Sequence, residues 1–209
     1  MAPSAMEGEA HIFWDNSNVF IPAQYVAAEE EGPWAERKVR IHFENLYRLA
    51  RFGREVGSAF CAGSVPPELK ALWDNIRDMG VEVELYERGD ESGTEQGVDQ
   101  TLQVHMLRAM ADNDSPQTAV LLTGDGAGYE TGIGFHADLE RMYQEGWGIE
   151  VISWDNACND SLKQWAQEVG AYIPLEDYYD SVTFLEKTRD AKALSMTSRP
   201  YAESDSRRT

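Results

Sequence analysis

Apolar and polar positions alternate along the chain in two distinct rhythms, and their order predicts the architecture. The first apolar run, His11 to Trp14, stops abruptly at Asp15-Asn-Ser-Asn18, residue types that end a strand and open a turn or helix cap. Ile21 to Glu36 carries Pro22, three consecutive glutamates at 29–31 and Gly32-Pro33, and reads as a surface excursion. From Arg37 to Glu55 the spacing of Val39, Phe43, Leu46 and Ala50 predicts one amphipathic helix. Gly57 to Gly63 reads as a second strand, and Pro66-Pro67 as the start of a helix through Met79. Val81 to Tyr86 alternates as a half-exposed strand at a sheet edge.

An acidic loop, Glu87 to Gln96, leads to Gly97-Val-Asp99 and a helix to about Asp112 with Leu102, Met106, Leu107 and Met110 as its buried stripe. Thr118 to Thr123 is continuously apolar, as a central parallel strand requires, and ends at Gly124-Asp-Gly126. A helix over 135–145, a strand over 148–154, a helix over 160–169 and a short strand over 171–175 follow. Strand and helix therefore alternate, which predicts an α/β three-layer, Rossmann-like fold with a mainly parallel central sheet. The domain is expected over 10–186, after a flexible lead-in at 1–9; the polar, aperiodic stretch 187–209 is expected to be a disordered tail.

Composition narrows the class. With 209 residues, 42% hydrophobic and 26% charged, the chain can bury a proper core. No apolar segment approaches the roughly 20 residues of a membrane span, and the polar first ten residues do not make a signal peptide, so no membrane partner and a cytoplasmic location are expected. Cys61 and Cys158 lie in apolar surroundings without CxxC spacing, which favours buried free thiols over a disulfide or metal role. The formal net charge of −19 argues against broad attraction to a polyanion. A local basic face is still available: Arg37, Arg40, Arg48 and Arg51 gather on one side of the predicted helix, with Lys38 and Arg54 beside them. They are either a solvated face or a phosphate-binding surface.

The candidate chemistry lies at the strand ends. Asp15 ends the first strand, Asp99 opens a helix and Asp125 ends the strand at 118–123; neighbouring placement of those two strands would set Asp15 and Asp125 facing across a crevice at the carboxyl end of the sheet. Asp15 also suits a plain helix cap. Three carboxylates in one crevice repel unless a cation joins them, and oxygen ligands suit Mg²⁺ or Mn²⁺, which points to metal-assisted attack of water on a phosphodiester. Gly132-Ile-Gly-Phe-His-Ala137 fits the G-x-G-x-x-A pattern of dinucleotide binders, with Glu150 at a distance suited to a ribose, but it begins well after the strand end where the fingerprint places its first glycine.

Ile12-Phe-Trp-Asp-Asn-Ser-Asn18, Gln96-Gly-Val-Asp-Gln-Thr-Leu102 and Leu121-Leu-Thr-Gly-Asp125 resemble, in order and in setting, the three signature motifs of the NYN domain, a branch of the PIN-like ribonuclease superfamily. The end of the domain, Asp160 through Leu175, is similar too, and the resemblance covers roughly 10–186. It implies a metal-dependent endoribonuclease. Asp15, Asp99 and Asp125 would hold Mg²⁺ or Mn²⁺, and Asn18 would orient water or a phosphate oxygen. These four form the expected catalytic set, and the substrate is expected to be RNA, single-stranded because a duplex needs a broad basic surface that this chain lacks. The chain departs from the family pattern at His105 and Ala127, where a second Asp is common, with Glu130 or Asp138 as candidate substitutes. A catalytically impaired module that binds RNA or another protein is the alternative, and a homodimer is left open.

Overall fold

The computed structural model describes residues 8–64, 70–86 and 93–204. Six strands form one parallel sheet: β1 (Ala10–Asp15), β3 (Val56–Ser64), β4 (Glu82–Tyr86), β5 (Thr118–Leu122), β6 (Gly148–Ser153) and β7 (Ala171–Pro174). Their spatial order is β4-β3-β1-β5-β6-β7. Counted along the sheet strands alone this is 3-2-1-4-5-6, the doubly wound order whose direction reverses beside the first strand. β1, β5 and β6 are buried at every position, as their mainly apolar runs require, whereas β4 is largely exposed at the edge.

Helices cover both faces. On one, α1 (Asn16–Glu31), α2 (Phe43–Arg51) and α3 (Lys70–Asp78) pack Val19, Val26, Leu46, Leu49, Trp73 and Ile76 against Ile12, Trp14, Val120 and Ile152. On the other, α4 (Gly93–Asp112), α5 (Phe135–Gln144) and α6 (Asp160–Val169) pack Leu102, Met106, Phe135, Leu139 and Leu162 against Phe13, Leu121 and Val151. Alternate residues of each central strand thus serve opposite layers, and the three-layer α/β expectation holds. The strands expected at 11–14, 57–63, 81–86, 118–123, 148–154 and 171–175 are all present within a residue or two. Cys61 and Cys158 are buried free thiols.

Four expectations are corrected. The stretch expected as a surface excursion is most of α1, a helix of 16 residues with Pro22 inside it. The single helix expected over 37–55 is instead a short strand, β2 (Val39–Ile41), followed by α2. β2 pairs antiparallel with β8 (Thr183–Leu185), which follows the short helix α7 (Tyr179–Val182); that partner, some 140 residues away, decides the conformation. Asp99 does not open α4 but lies in its second turn, because the helix begins at Gly93. Lastly, residues 187–204 are folded on: Arg199 is 4% exposed, Ala202 is buried, and both bond to Glu150 of β6. The Pro66-Pro67 helix start, the 87–92 part of the acidic loop and the first residues of the lead-in lie outside the described residues.

Candidate active site

β1 and β5 are hydrogen-bonded neighbours, so the crevice at their carboxyl ends lies where the strand order reverses. A cleft of about 610 Å³ opens there. Asp15, Asn18, Asp99 and Asp125 all line it, together with Ser17, Ile21, Pro22, Val98, Gly124, Gly126, Ala127 and the 156–159 turn. The four residues expected to form the catalytic set therefore share one cavity.

Asp15 is the most constrained of them. It is 2% exposed and caps α1: its Oδ1 accepts the backbone N–H of Ser17 at 3.0 Å and of Asn18 at 3.1 Å, while its Oδ2 accepts Nδ2 of Asn18 at 2.5 Å. The capping reading and the cleft reading are both realised in one side chain. Burial raises its pKa above the ordinary carboxylate value; the donors from Asn18 and Ser17 oppose that, and the charge of Asp125 adds to it. The two strand-tip carboxylates thus feel one another.

Asp125 sits in the loop after β5. Its backbone N–H bonds the Thr123 hydroxyl at 3.2 Å, and its Oδ1 accepts the Ala127 N–H at 2.8 Å, a local turn that fixes the side chain. The loop is pressed against the β6–α6 turn. A Cβ on Gly124 would stand 2.7 Å from the Ala157 carbonyl oxygen, so only glycine permits this approach, and the Gly124 carbonyl accepts the Asn159 N–H at 2.9 Å.

Asn156, Ala157, Cys158 and Asn159 were not among the expected site residues. Their signal was present: Ile152-Ser-Trp-Asp-Asn156 repeats the apolar-run-then-amide ending of Ile12-Phe-Trp-Asp-Asn16 at a third strand tip. Asn159 caps α6 through Oδ1, so the amino-terminal ends of α1 and α6 both border the cleft. Their partial positive charge offsets part of the acidity there.

Other expected residues lie elsewhere. His105 is buried and stacked on Phe60 at 3.6 Å between ring centroids, with Nε2 3.2 Å from Glu84: a core histidine. Asp138 is held by Arg141 at 2.6 Å and Gln103 at 2.7 Å, and Glu130 lies exposed on a 3₁₀ turn; neither lines the cleft. Glu150 is no ribose contact, because it is fully buried on β6 between Arg54 and Arg199.

The arginines do not form one helix face. Arg37 is in an exposed turn, Arg40 is on β2 and paired with Glu186 at 3.1 Å, and Arg48 and Arg51 are in the last turn of α2. That turn leads to the starting edge of the sheet, since Glu55 bonds Ala10, the first residue of β1. Among the described residues none of the four lines the cleft. Arg54 is spent on Glu150, and Lys38 lies over the Trp34 ring at 5.2 Å.

Among the described residues no group of three or more His, Cys, Asp or Glu side chains stands close enough to hold a metal ion. The expected three-carboxylate cluster is therefore not assembled. Asp15 turns its oxygens toward the end of α1, and Asp99 is set back in the second turn of α4. The donor chemistry nonetheless fits a hard cation: Mg²⁺ is commonly bound by one or two carboxylates with waters and substrate phosphates completing its shell, and Asp15 and Asp125 supply such a pair.

An α/β sheet in 3-2-1-4-5-6 order with carboxylates at its switch point is a doubly wound fold with an acidic cleft, consistent with a PIN-like fold. The family model of the NYN domain matches residues 9–172, and the chain belongs to the NYN family. The family is ribonuclease-like and RNA-related, and its nucleases typically use divalent metals. No curated protein matches the chain.

Proposed function

We propose that the protein is a metal-dependent endoribonuclease that cuts single-stranded RNA at the strand-tip cleft. One observation carries the reading: Asp15, the last residue of β1, and Asp125, in the loop after the neighbouring parallel strand β5, line one cavity together with Asn18 and Asp99. Asp15 and Asp125 would hold a Mg²⁺ or Mn²⁺ ion in the cavity that Asp99 also lines from α4. Such an ion would supply Lewis acidity, making water a competent nucleophile and neutralising charge on the phosphate.

The chain's own groups do the positioning. The Asn18 amide is fixed by its bond to Asp15, which leaves its second N–H to bind a phosphate oxygen and its Oδ1 to orient a water. The N–H groups and dipoles at the starts of α1 and α6 favour an anion in the same cavity, which offsets the repulsion a phosphate meets from the carboxylates. An unpaired strand can enter an open crevice of this size without the broad basic surface that a duplex needs.

Purified protein with labelled RNA and Mn²⁺, run beside Asp125→Asn, tests the reading. Cleavage that is abolished by chelator and falls about a hundredfold or more in the variant is expected, given the several kcal/mol a catalytic metal contributes. Undiminished cleavage by Asp125→Asn would refute this site. The second reading, an RNA-binding or protein-interaction module without activity, is favoured by the unassembled carboxylate cluster and by Ala127 and His105 at positions where the family resemblance led us to expect acids. RNA binding by the wild-type protein with no cleavage of varied RNAs would establish it.

A further inference from the structure

We infer that Asn159 binds the RNA directly: its side-chain amide donates to a phosphate oxygen in the cleft, beside the loop that carries Asp125. The inference rests on the RNA-cleaving reading above and adds a residue that would touch the substrate.

Asn159 is exposed and lines the same cavity as Asp15, Asn18, Asp99 and Asp125. Its position is fixed by four hydrogen bonds. The backbone N–H donates to the Gly124 carbonyl at 2.9 Å, the backbone carbonyl accepts the Lys163 N–H at 2.9 Å, and Oδ1 accepts the N–H groups of Ser161 at 3.0 Å and Leu162 at 3.2 Å. Two backbone donors can meet only the amide oxygen, so chemistry settles which way the amide is turned, and Nδ2 keeps both of its hydrogens. Among the described residues Nδ2 has no acceptor. With Oδ1 committed to α6, the polar atom that this side chain can offer the cavity is a donor. Asn18, by contrast, spends one amide hydrogen on Asp15.

Gly126 ties that amide to Asp125. The backbone of Gly126 is not in the left-handed region, so its own conformation does not demand glycine. A Cβ there would stand 2.6 Å from Cγ of Asn159 and 2.8 Å from its Oδ1. Glycine is required at 126 because the Asn159 side chain lies against the residue that follows Asp125.

Capping alone does not select asparagine. Serine, threonine and aspartate cap as well, but a hydroxyl carries its one hydrogen on the capping oxygen, and aspartate carries none. Aspartate would also add a fourth carboxylate to a cavity already lined by three. Asparagine instead supplies two hydrogens at a point held rigid before any ligand arrives, so little freedom is lost when they bind. The acceptor they suit is an anion, because the start of α6 behind them carries partial positive charge. In a cleft whose carboxylates attract cations, donors fixed beside Asp125 serve to seat the phosphate that the nuclease reading brings there.

The test compares the full chain with Asn159→Ser and Asn159→Asp, which keep the cap, and with Asn159→Ala, which loses it. Fluorescence anisotropy in Ca²⁺ reads the affinity for a labelled 2′-O-methyl oligoribonucleotide with phosphodiester linkages and for the same sequence with uncharged methylphosphonate linkages. Asn159→Ser should unfold at the wild-type urea midpoint and respond to Mn²⁺ as the wild type does, yet bind the phosphodiester strand about tenfold or more weakly, as expected when a hydrogen bond to a charged group is lost. Asn159→Asp should lose at least as much at low salt and regain part of it at high salt, where repulsion is screened. The methylphosphonate strand should bind the wild type and Asn159→Ser alike. Wild-type affinity and cleavage in Asn159→Ser overturn the inference and leave the nuclease reading standing, provided Asp125→Asn still abolishes cleavage. An equal loss on the methylphosphonate strand puts a base at the amide and overturns the phosphate contact. A loss of affinity that tracks a lowered urea midpoint in Asn159→Ser and Asn159→Ala alike, with Asn159→Asp binding as the wild type does, leaves Asn159 a cap and overturns the inference. A wild-type protein that neither binds nor cuts RNA overturns both readings.

Discussion

Asp15 carries two demands in one side chain: it closes the start of α1 and it faces Asp125 across the switch point. Burial raises its pKa, so the folded state holds its proton more tightly than the unfolded chain does. With the folded pKa above the ordinary value of 3.8, the unfolded state binds fewer protons in between, and stability falls as pH rises through that window. Asp15→Asn keeps the cap, because asparagine caps as well as aspartate does and the Asn18 amide can rotate to accept from it. Its metal-free stability should therefore match or exceed that of the wild type at neutral pH, with the advantage fading below about pH 4. Asp15→Ala removes the cap and should cost about 1 kcal/mol. Urea unfolding across pH in chelator checks both variants, and stabilisation by Mn²⁺ should disappear in each. Asp15, Asn18 and Asp125 were legible in the sequence because a buried strand that ends in Asp or Asn changes composition abruptly. The depth of Asp99 in α4 was not read, since the polar run to Gln96 and Gly97 pointed to a later start, although Ser92-Gly-Thr-Glu95 has the S-x-x-E spacing of a capping box beside Gly93.

Elements were legible where the apolar pattern had one interpretation and not where distant partners chose. α1 carried a helical signal in Val19, Ala23, Val26 and Ala27, but the internal proline and the run of glutamates pointed toward a loop. The packing of its buried face against the sheet outweighs both, as tertiary contacts commonly outweigh propensity. At 37–55 the spacing of apolar residues was compatible with one helix, yet Val39 and Ile41 alternate just as well for a strand, and pairing with β8 selects the strand. His42 then starts α2 by accepting the Asn45 N–H at 3.2 Å. This split disperses the arginines. Arg48 and Arg51 lie at the starting edge of a sheet whose strands are about 17–20 Å long, and the cleft lies at the other end. Reversing both, Arg48→Glu with Arg51→Glu, should change RNA affinity less than about threefold at moderate salt, because charges farther apart than the Debye length of about 8–10 Å are largely screened. Anisotropy across a salt series checks this; a tenfold loss with a flatter salt slope would bring the RNA path around to α2.

Across the whole molecule, the folded unit extends past the matched family region, and one buried acid explains how. Glu150 is fully buried on β6, inside a strand that otherwise reads as plain core. Its two oxygens accept Arg54 Nη1 and Nη2 at 2.9 and 2.7 Å, Arg199 Nη2 at 2.7 Å and the Ala202 N–H at 3.0 Å. Arg199 also lies over the Phe52 ring at 4.6 Å, and Phe52 packs against Tyr201. The polar composition of 187–204 suggested disorder because a single inserted arginine leaves no periodic trace, and its partner lies 49 positions earlier in the chain. A lone charged residue in the strand at 148–153 was the available clue, since a buried carboxylate requires cationic partners. The energetics separate the members of this cluster. Removing the acid leaves two buried guanidinium groups without their counter-charge, so Glu150→Ala should cost about 3–5 kcal/mol. Arg199→Met keeps the bulk over Phe52 and leaves Glu150 bonded to Arg54, so it should cost less, about 1–3 kcal/mol. Arg199→Met should also release the end of the chain: the Ala202 amide, protected from hydrogen exchange in the wild type, should exchange freely in the variant while the amides of β5 and β6 stay protected. Equal stability of Arg199→Met and wild type, with the Ala202 amide unprotected in both, would return the segment after Lys187 to the disordered tail that its composition suggests.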